Sequence, residues 1–404
     1  MLRRVKLTRS FTEFFDNEKS AGLMLILCSI VSLIIANSFF GASYLGFWKT
    51  YVGGLTISYW VNDGLMAIFF LLIGLELKRE LFEGELSDFK NALLPIVAAL
   101  GGVTLPALIH FYFNYGLPTS SGFGIPMATD IAFALSILAL IGSRAPASLK
   151  VFLTAVAVID DLVAIVIIAV FYTSDLSFTY LGLALAVFAI LMVFNYFKFM
   201  RLPIYLVGGA ILWVFMLKSG VHATIAGVLL AFTIPYTPEV DDDDALSYLE
   251  HLLNKPVAFF IMPVFALANT GIIIGAGWAE ELITPNSLGI IIGLLVGKVI
   301  GVSAASFVCV KIGICRLPKY LKWKHIIGAG FLAGIGFTMS IFITNLAFEN
   351  LGNGEGLINS SKMAILLTSL ASGLVGYIWL VTLSRLSTEA DRNEALIYED
   401  EDED

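Results

Sequence analysis

Apolar residues in this chain come in long runs rather than in narrow periodic stripes. Twelve such runs lie near 21–40, 59–80, 91–114, 123–141, 150–173, 177–197, 203–218, 221–235, 256–277, 285–310, 325–347 and 363–384, and most charged residues crowd into the gaps between them. A helix needs about 20 mostly apolar residues to cross a bilayer, so the pattern predicts an all-α integral membrane protein with twelve transmembrane helices. The seventh and eighth runs are short and nearly fused around 218–222, which leaves eleven as the other count. Charge placement separates the two. Twelve spans put only Lys49, Lys218 and Lys362 of the 24 Lys and Arg residues on one side; Lys298 falls inside a span, and the rest share the side of both termini. Positive loops face the cytoplasm. Twelve spans with both termini cytoplasmic satisfy that rule, whereas eleven would put the basic 311–324 loop outside.

Composition agrees: 58% of the 404 residues are hydrophobic and 14% charged, against about 25% charged in soluble domains. The domain reading is a cytoplasmic N-terminus at 1–20, one transmembrane unit at 21–385 and an acidic cytoplasmic tail at 386–404. The net charge of −8 is weighted by two acidic blocks, 241–244 and 399–404, read as solvated tracts with no substrate role. Cys28, Cys309 and Cys315 show neither metal-ligand spacing nor a disulfide framework and are read as small apolar fillers. No cleavage pattern follows the first apolar run, which is expected to remain as a span. The stretch from Phe47 to Trp60 sets two β-prone segments around Gly53 and Gly54; it fits a hairpin, and equally a plain interfacial loop with an aromatic belt.

Charges within spans are costly and are kept when paired or used. Asp130 lies midway along the fourth run, Asp160 and Asp161 near the middle of the fifth, and Lys298 near the middle of the tenth. Neighbouring helical residues point about 100° apart. One carboxylate of the pair can therefore enter an ion path while the other reaches a lysine on another helix. One lysine cannot neutralise three aspartates, and an excess of negative charge is what a cation site requires. Asp130 follows two glycines and Pro126 in GFGIPMATD, and the eleventh run carries Gly328, Gly330, Gly334 and Gly336. These features fit broken helices lining a cavity; a proline kink and close-packing glycine notches are the alternatives. Interrupted spans in corresponding positions of two halves point to inverted repeats with a midplane site, a principle for which NhaA is itself one of the standard examples.

The segments WVNDGLMAIFFLLIGLELKREL (60–81), PMATDIAFALSILALIGSRAPASLKVFLTAVAVIDDL (126–162), LKSGVHATIAGVLL (217–230), LLVGK (294–298) and GIGFTMSIFI (334–343) together resemble the NhaA-type sodium/proton antiporters. The resemblance implies twelve spans, two discontinuous crossing helices (spans four and eleven, the latter broken at Gly334 and Gly336) and a cytoplasm-facing funnel. It also implies a homodimer in the bacterial inner membrane, with the small periplasmic β-hairpin at the contact. It makes Asp161 the main sodium ligand and proton carrier and pairs Asp160 with Lys298. Thr129 lines the site, while Asp130 and Lys298 offset the ends of the broken helices. Glu76, Arg79, Glu80, Glu250 and His251 match the family's pH-sensing cluster, although Ser247, Tyr248 and Asn254 stand where basic residues are expected. His222 is read equally as a packing residue or a pH sensor.

The implied activity is electrogenic, pH-regulated exchange of cytoplasmic Na+ or Li+ for external H+, by a transporter rather than an enzyme. Its partners are the ions and the bilayer; no cofactor, nucleotide loop or nucleic-acid patch is read. An intramembrane aspartyl protease would place two aspartates on separate helices and give Lys298 no part. A cation channel would need a continuous pore without proton coupling. A proton-coupled solute symporter is the nearest rival.

Overall fold

The computed structural model describes residues 9–84, 87, 89–142, 145–173, 176–236, 244–275, 277–318, 321–349, 351 and 354–386. Most of the acidic tail, the block 241–243, Arg144 and Lys319 lie outside the described residues. Helix α1, Arg9–Ala36, leads into a short helix α2, Gly41–Trp48. Strands β1, Tyr51–Val52, and β2, Leu55–Thr56, pair antiparallel with Tyr51 opposite Thr56 and Val52 opposite Leu55. The turn takes positive φ at both central residues, 64° at Gly53 and 90° at Gly54, where a side chain would be strained. Trp60 Nε1 donates to Val52 O at 2.9 Å and fastens this hairpin to the next helix.

The remaining helices are α3, Ile57–Phe82; α4, Phe89–Phe113; α5, Ile131–Ile141; α6, Ala147–Phe171; α7, Phe178–Tyr196; α8, Leu202–Ser219; and α9, Ile225–Thr233. They continue with α10, Ala245–Asn269; α11, Pro285–Ile312; α12, Trp323–Ala333; α13, Phe337–Phe348; and α14, Gly354–Leu386. Tight 3-10 turns at Pro118–Met127 enter α5 through extended residues 128–130. Ten of these stretches are long and apolar enough to cross a membrane, or eleven if α12 and α13, bent by 47°, form one span. The expected eighth span differs. Residues 220–224 turn and Ile234 is extended, so α9 winds only 9 residues, about 14 Å at 1.5 Å per residue.

Two further expectations change. Lys362 sits within α14 rather than in a loop. Cys309 and Cys315 are joined by a disulfide with Cα atoms 5.6 Å apart, not separate fillers. Gly313, at φ 84°, ends α11 in a left-handed cap and folds the chain back, so that Ile314 N reaches Cys309 O at 3.1 Å. Six residues of spacing in an apolar run carry no sign of that return.

One large apolar core runs through α3 to α6 and α10 to α14, and smaller ones lie among α3 and α7 to α10. Helices α4 and α11 approach most closely at Gly101 and Gly301, where a Cβ on either would run into the other's carbonyl oxygen. Gly301→Val should therefore lower stability by roughly 1–3 kcal/mol through overpacking. It should also reduce transport, because Lys298 lies one turn away on the same helix. Gly46→Ala, with nothing within 4 Å of its Cβ, should leave the melting temperature unchanged in the same assay.

Candidate ion-binding site

Four helical elements converge where two of them are interrupted. The extended residues 128–130 meet the break between α12 and α13, and Asp130 N donates to Ile335 O at 2.7 Å. Gly334 lets the break pack against α11 and α14: a Cβ there would stand 2.5 Å from Leu294 O and from Ser372 Oγ. Gly336 has no room for a Cβ beside Ser340.

Each break exposes helix ends, and the polar residues nearby are matched to them. Asp130 caps α5 by accepting from Phe133 N at 3.0 Å. Its other oxygen accepts from Thr338 N at 3.1 Å and from Thr338 Oγ1, in the first turn of α13. One buried carboxylate thus sits on the N-terminal ends of two half-helices, where backbone donors and the helix dipole both favour negative charge. Phe337 N donates to Ser369 Oγ at 3.1 Å and completes that end.

At the opposite pole stands Lys298, fully buried and placed directly after a wide π-helical turn, Gly293–Gly297. Its Nζ lies 2.6 Å from Asp160 Oδ2 and donates to Thr129 Oγ1 at 3.1 Å. Thr129 Oγ1 lies 2.7 Å from Asp160 Oδ2 and 2.8 Å from Ala333 O, and its single proton serves one of them at a time. The lysine therefore reaches the carbonyl end of α12 through Thr129, the sign that a helix C-terminus favours.

Asp161 follows on α6 and is as deeply buried, 1% exposed, yet forms no ion pair among the described residues. Asp161 Oδ1 and Asp160 Oδ1 are buried oxygens without a hydrogen-bond partner among the described residues. Such atoms are rare and call for a ligand or a function. Asp161 also feels the charges of Asp160, Asp130, Glu76 and Lys298. Among the described residues no group of three or more His, Cys, Asp or Glu converges. The oxygens gathered at Lys298 are those of Asp160 and Thr129, with Asp161 next along α6.

The sequence-predicted cluster at the end of α3 also assembles. Arg79 Nε lies 3.0 Å from Glu250 Oε2, and Arg79 reaches Glu80 at 4.0 Å. Glu76, one turn up α3, interacts electrostatically with Glu250, as does the exposed His251. Glu76 feels the charge of Glu250, and Asp161 that of Glu76. His222 lies in the turn before α9, partly buried, and interacts with the Tyr172 backbone.

The family model described as Na+/H+ antiporter 1 matches residues 12–380. The chain belongs to the Na+/H+ antiporter 1 family. A relative named Na(+)/H(+) antiporter NhaA from Dechloromonas aromatica is 63% identical over 93% of this chain and 97% of its own length. Relatives of the same name from Cytophaga hutchinsonii and Vibrio cholerae are 55% and 47% identical, each over 93% of this chain and 96% and 97% of their own lengths. The resemblance drawn from the five motifs is thereby shown, and this family member is a multi-pass membrane protein.

Some supporting residues had no clear signal in the sequence. Lys78 falls at the edge of the 59–80 run, in the ELKRE motif, but it is 5% exposed and donates to Phe232 O at 2.9 Å and to Ile234 O. It caps the carbonyl end of the short α9. Thr338, Ser340 and Ser369 hold the start of α13, with Ser340 Oγ donating to Ile125 O at 2.7 Å.

Proposed function

We propose that this chain is a secondary active transporter that moves Na+, and Li+, out of the cytoplasm in exchange for external H+. The observation that carries the reading is the buried Asp160–Lys298–Thr129 cluster with Asp161 next to it on α6, its Oδ1 without a hydrogen-bond partner among the described residues, at the meeting of two interrupted spans. Asp161 holds either a sodium ion or a proton on the same oxygens, so neither leaves without the other's arrival. Asp160 binds Lys298 in the state described and exchanges that ammonium for the cation in another. Asp130 stays as a fixed counter-charge to the two helix N-termini. Alternating access to this one site converts competition into exchange. The carboxylates and the lysine offer more proton positions than cation positions, which supports electrogenic exchange with more protons entering than sodium ions leaving.

The same reading takes the protein as a bacterial inner-membrane homodimer of twelve-span subunits. Helix α9 with its flanking turns counts as the eighth span, and both termini are cytoplasmic. Spans three to five and ten to twelve form inverted repeats whose broken middle members cross. The Gly53–Gly54 hairpin is periplasmic and lies at the dimer contact. The Arg79–Glu250 cluster at the cytoplasmic end of α3 provides pH regulation, and its coupling to Asp161 through Glu76 supports that role.

The test uses everted membrane vesicles that hold a proton gradient reported by a pH dye. Sodium added without any organic solute should dissipate the gradient, and so should lithium. A need for a solute would favour the symporter. No sodium response from mildly acidic to alkaline pH, with the protein present, would refute exchange.

A further inference from the structure

The connection between α11 and α12 is the most one-sided charge in the chain. No Asp or Glu occurs between Glu281 and Glu349, although the protein carries 32 acidic residues and a net charge of −8. Within that stretch Lys311, Arg316, Lys319, Lys322 and Lys324 fall close together in sequence, and Lys311, Arg316, Lys322 and Lys324 are all exposed. The surface is also braced. The Cys309–Cys315 bridge and the left-handed cap at Gly313 fix the backbone between Lys311 and Arg316. Lys311 Nζ stands 5.8 Å from the centre of the Phe307 ring, and Phe307 meets Trp323 edge-on at 5.3 Å, which ties the end of α11 to the start of α12.

The opposite charge comes from the chain's other unexplained feature. Residues 399–404 are all acidic, and no Lys or Arg follows Arg392. Helix α14, which leads into that tail, runs beside this surface: Trp379 Nε1 donates to Lys324 O at 2.8 Å. From Trp379 to Leu386 is about 10 Å of helix. The residues between Leu386 and Glu399 reach at most about 40 Å further, so the acidic block can cover the loop without strain. Tethering keeps its local concentration high. Charges held this close act within the screening length of physiological salt, about 8 Å.

We propose that the acidic segment 399–404 docks on the basic α11–α12 connection of the same chain. The occupant is the tail rather than a lipid headgroup because the tail is tethered next to the loop and sets six acidic residues against its five basic ones. A docked tail holds together the connection between the helix that carries Lys298 and the helix whose end faces Thr129. The inference does not depend on the transport reading, and its test measures no transport.

The experiment pulse-labels lysines of the full-length protein in neutral detergent with an amine-reactive reagent and quantifies them by mass spectrometry, with Lys218 as internal reference. The comparison variant carries Glu399→Gln, Asp400→Asn, Glu401→Gln, Asp402→Asn, Glu403→Gln and Asp404→Asn. A tail that covers the loop in about nine of ten molecules protects it about tenfold. Labelling of Lys322 and Lys324 should therefore rise by about that factor in the variant, and raised salt should produce the same rise in the unmodified protein. Equal labelling of the two proteins at low salt overturns the proposal. So does protection that appears only with added phosphatidylglycerol, which assigns the surface to a lipid. Protection lost on dilution also overturns it, since the docking would then be between copies.

Discussion

Asp161→Asn should reduce sodium-driven proton movement in everted vesicles to the level of vesicles lacking the protein, while the protein still folds and inserts. The amide keeps the volume and shape of the carboxylate but holds neither a proton at this position nor the charge a sodium ion needs. Asp161 forms no ion pair among the described residues and has one buried oxygen without a partner, so the wild-type residue contributes little to the fold. A thermal melt in detergent should therefore stay within about 1 kcal/mol of wild type or rise, since a buried unpaired charge is costly. Loss of transport with a preserved melt separates an ion ligand from a packing residue. Transport that survives the substitution would remove Asp161 from the mechanism. A collapsed melt would mean that its charge is structurally paired.

The parts of the site that were legible in the sequence are those whose cost is visible there. Asp130, Asp160, Asp161 and Lys298 stand out because ionised groups in apolar runs need a reason, and the structure brings all four to one place. Spacing alone does not say which of the two aspartates Lys298 reaches, because that depends on how α6 and α11 are rotated against each other; the family resemblance supplied Asp160, the partner seen here. A π-helical turn directly before Lys298 shifts that rotation. The resemblance set Asp130 against the ends of the broken helices, but its particular partner was hidden, since Thr338 lies 208 positions away in sequence.

The shortness of α9 shows a different limit. Hydropathy reads 221–235 as one apolar run, but it does not register that a buried lysine from α3 can take the freed carbonyls of Phe232 and Ile234 and let the helix stop. Lys78 falls at the edge of the 59–80 run, and a charge there looks solvated until its partner, more than 150 residues away, is known. Local turn chemistry was more readable. Two glycines between β-prone stretches sufficed to suggest the hairpin, because only its turn needs positive φ twice in succession.

Lys298→Ala should destabilise the protein by about 3–5 kcal/mol, the cost of stranding a buried charge by removing its partner. Asp160 Oδ2 would keep only the Thr129 hydroxyl, and Thr129 would lose the ammonium that orders it between Asp160 and Ala333 O. The carbonyl end of α12 would lose its nearby cation as well. Adding Asp160→Ala to Lys298→Ala should recover most of the loss, because the stranded charge is then gone and only a small cavity and two unpaired polar groups remain. The coupling from the double-mutant cycle, measured by denaturation in detergent, should exceed the roughly 0.5 kcal/mol within which independent sites add. It should exceed the loss in either single variant, because Asp160→Ala alone strands the Lys298 ammonium just as Lys298→Ala strands the Asp160 carboxylate. Lys298→Arg should not restore the site: a planar five-donor fork does not fit a fully buried pocket built for one ammonium between Asp160 and Thr129. If Lys298→Ala melts like wild type, the Asp160–Lys298 pair is not what holds the two interrupted spans against α6 and α11.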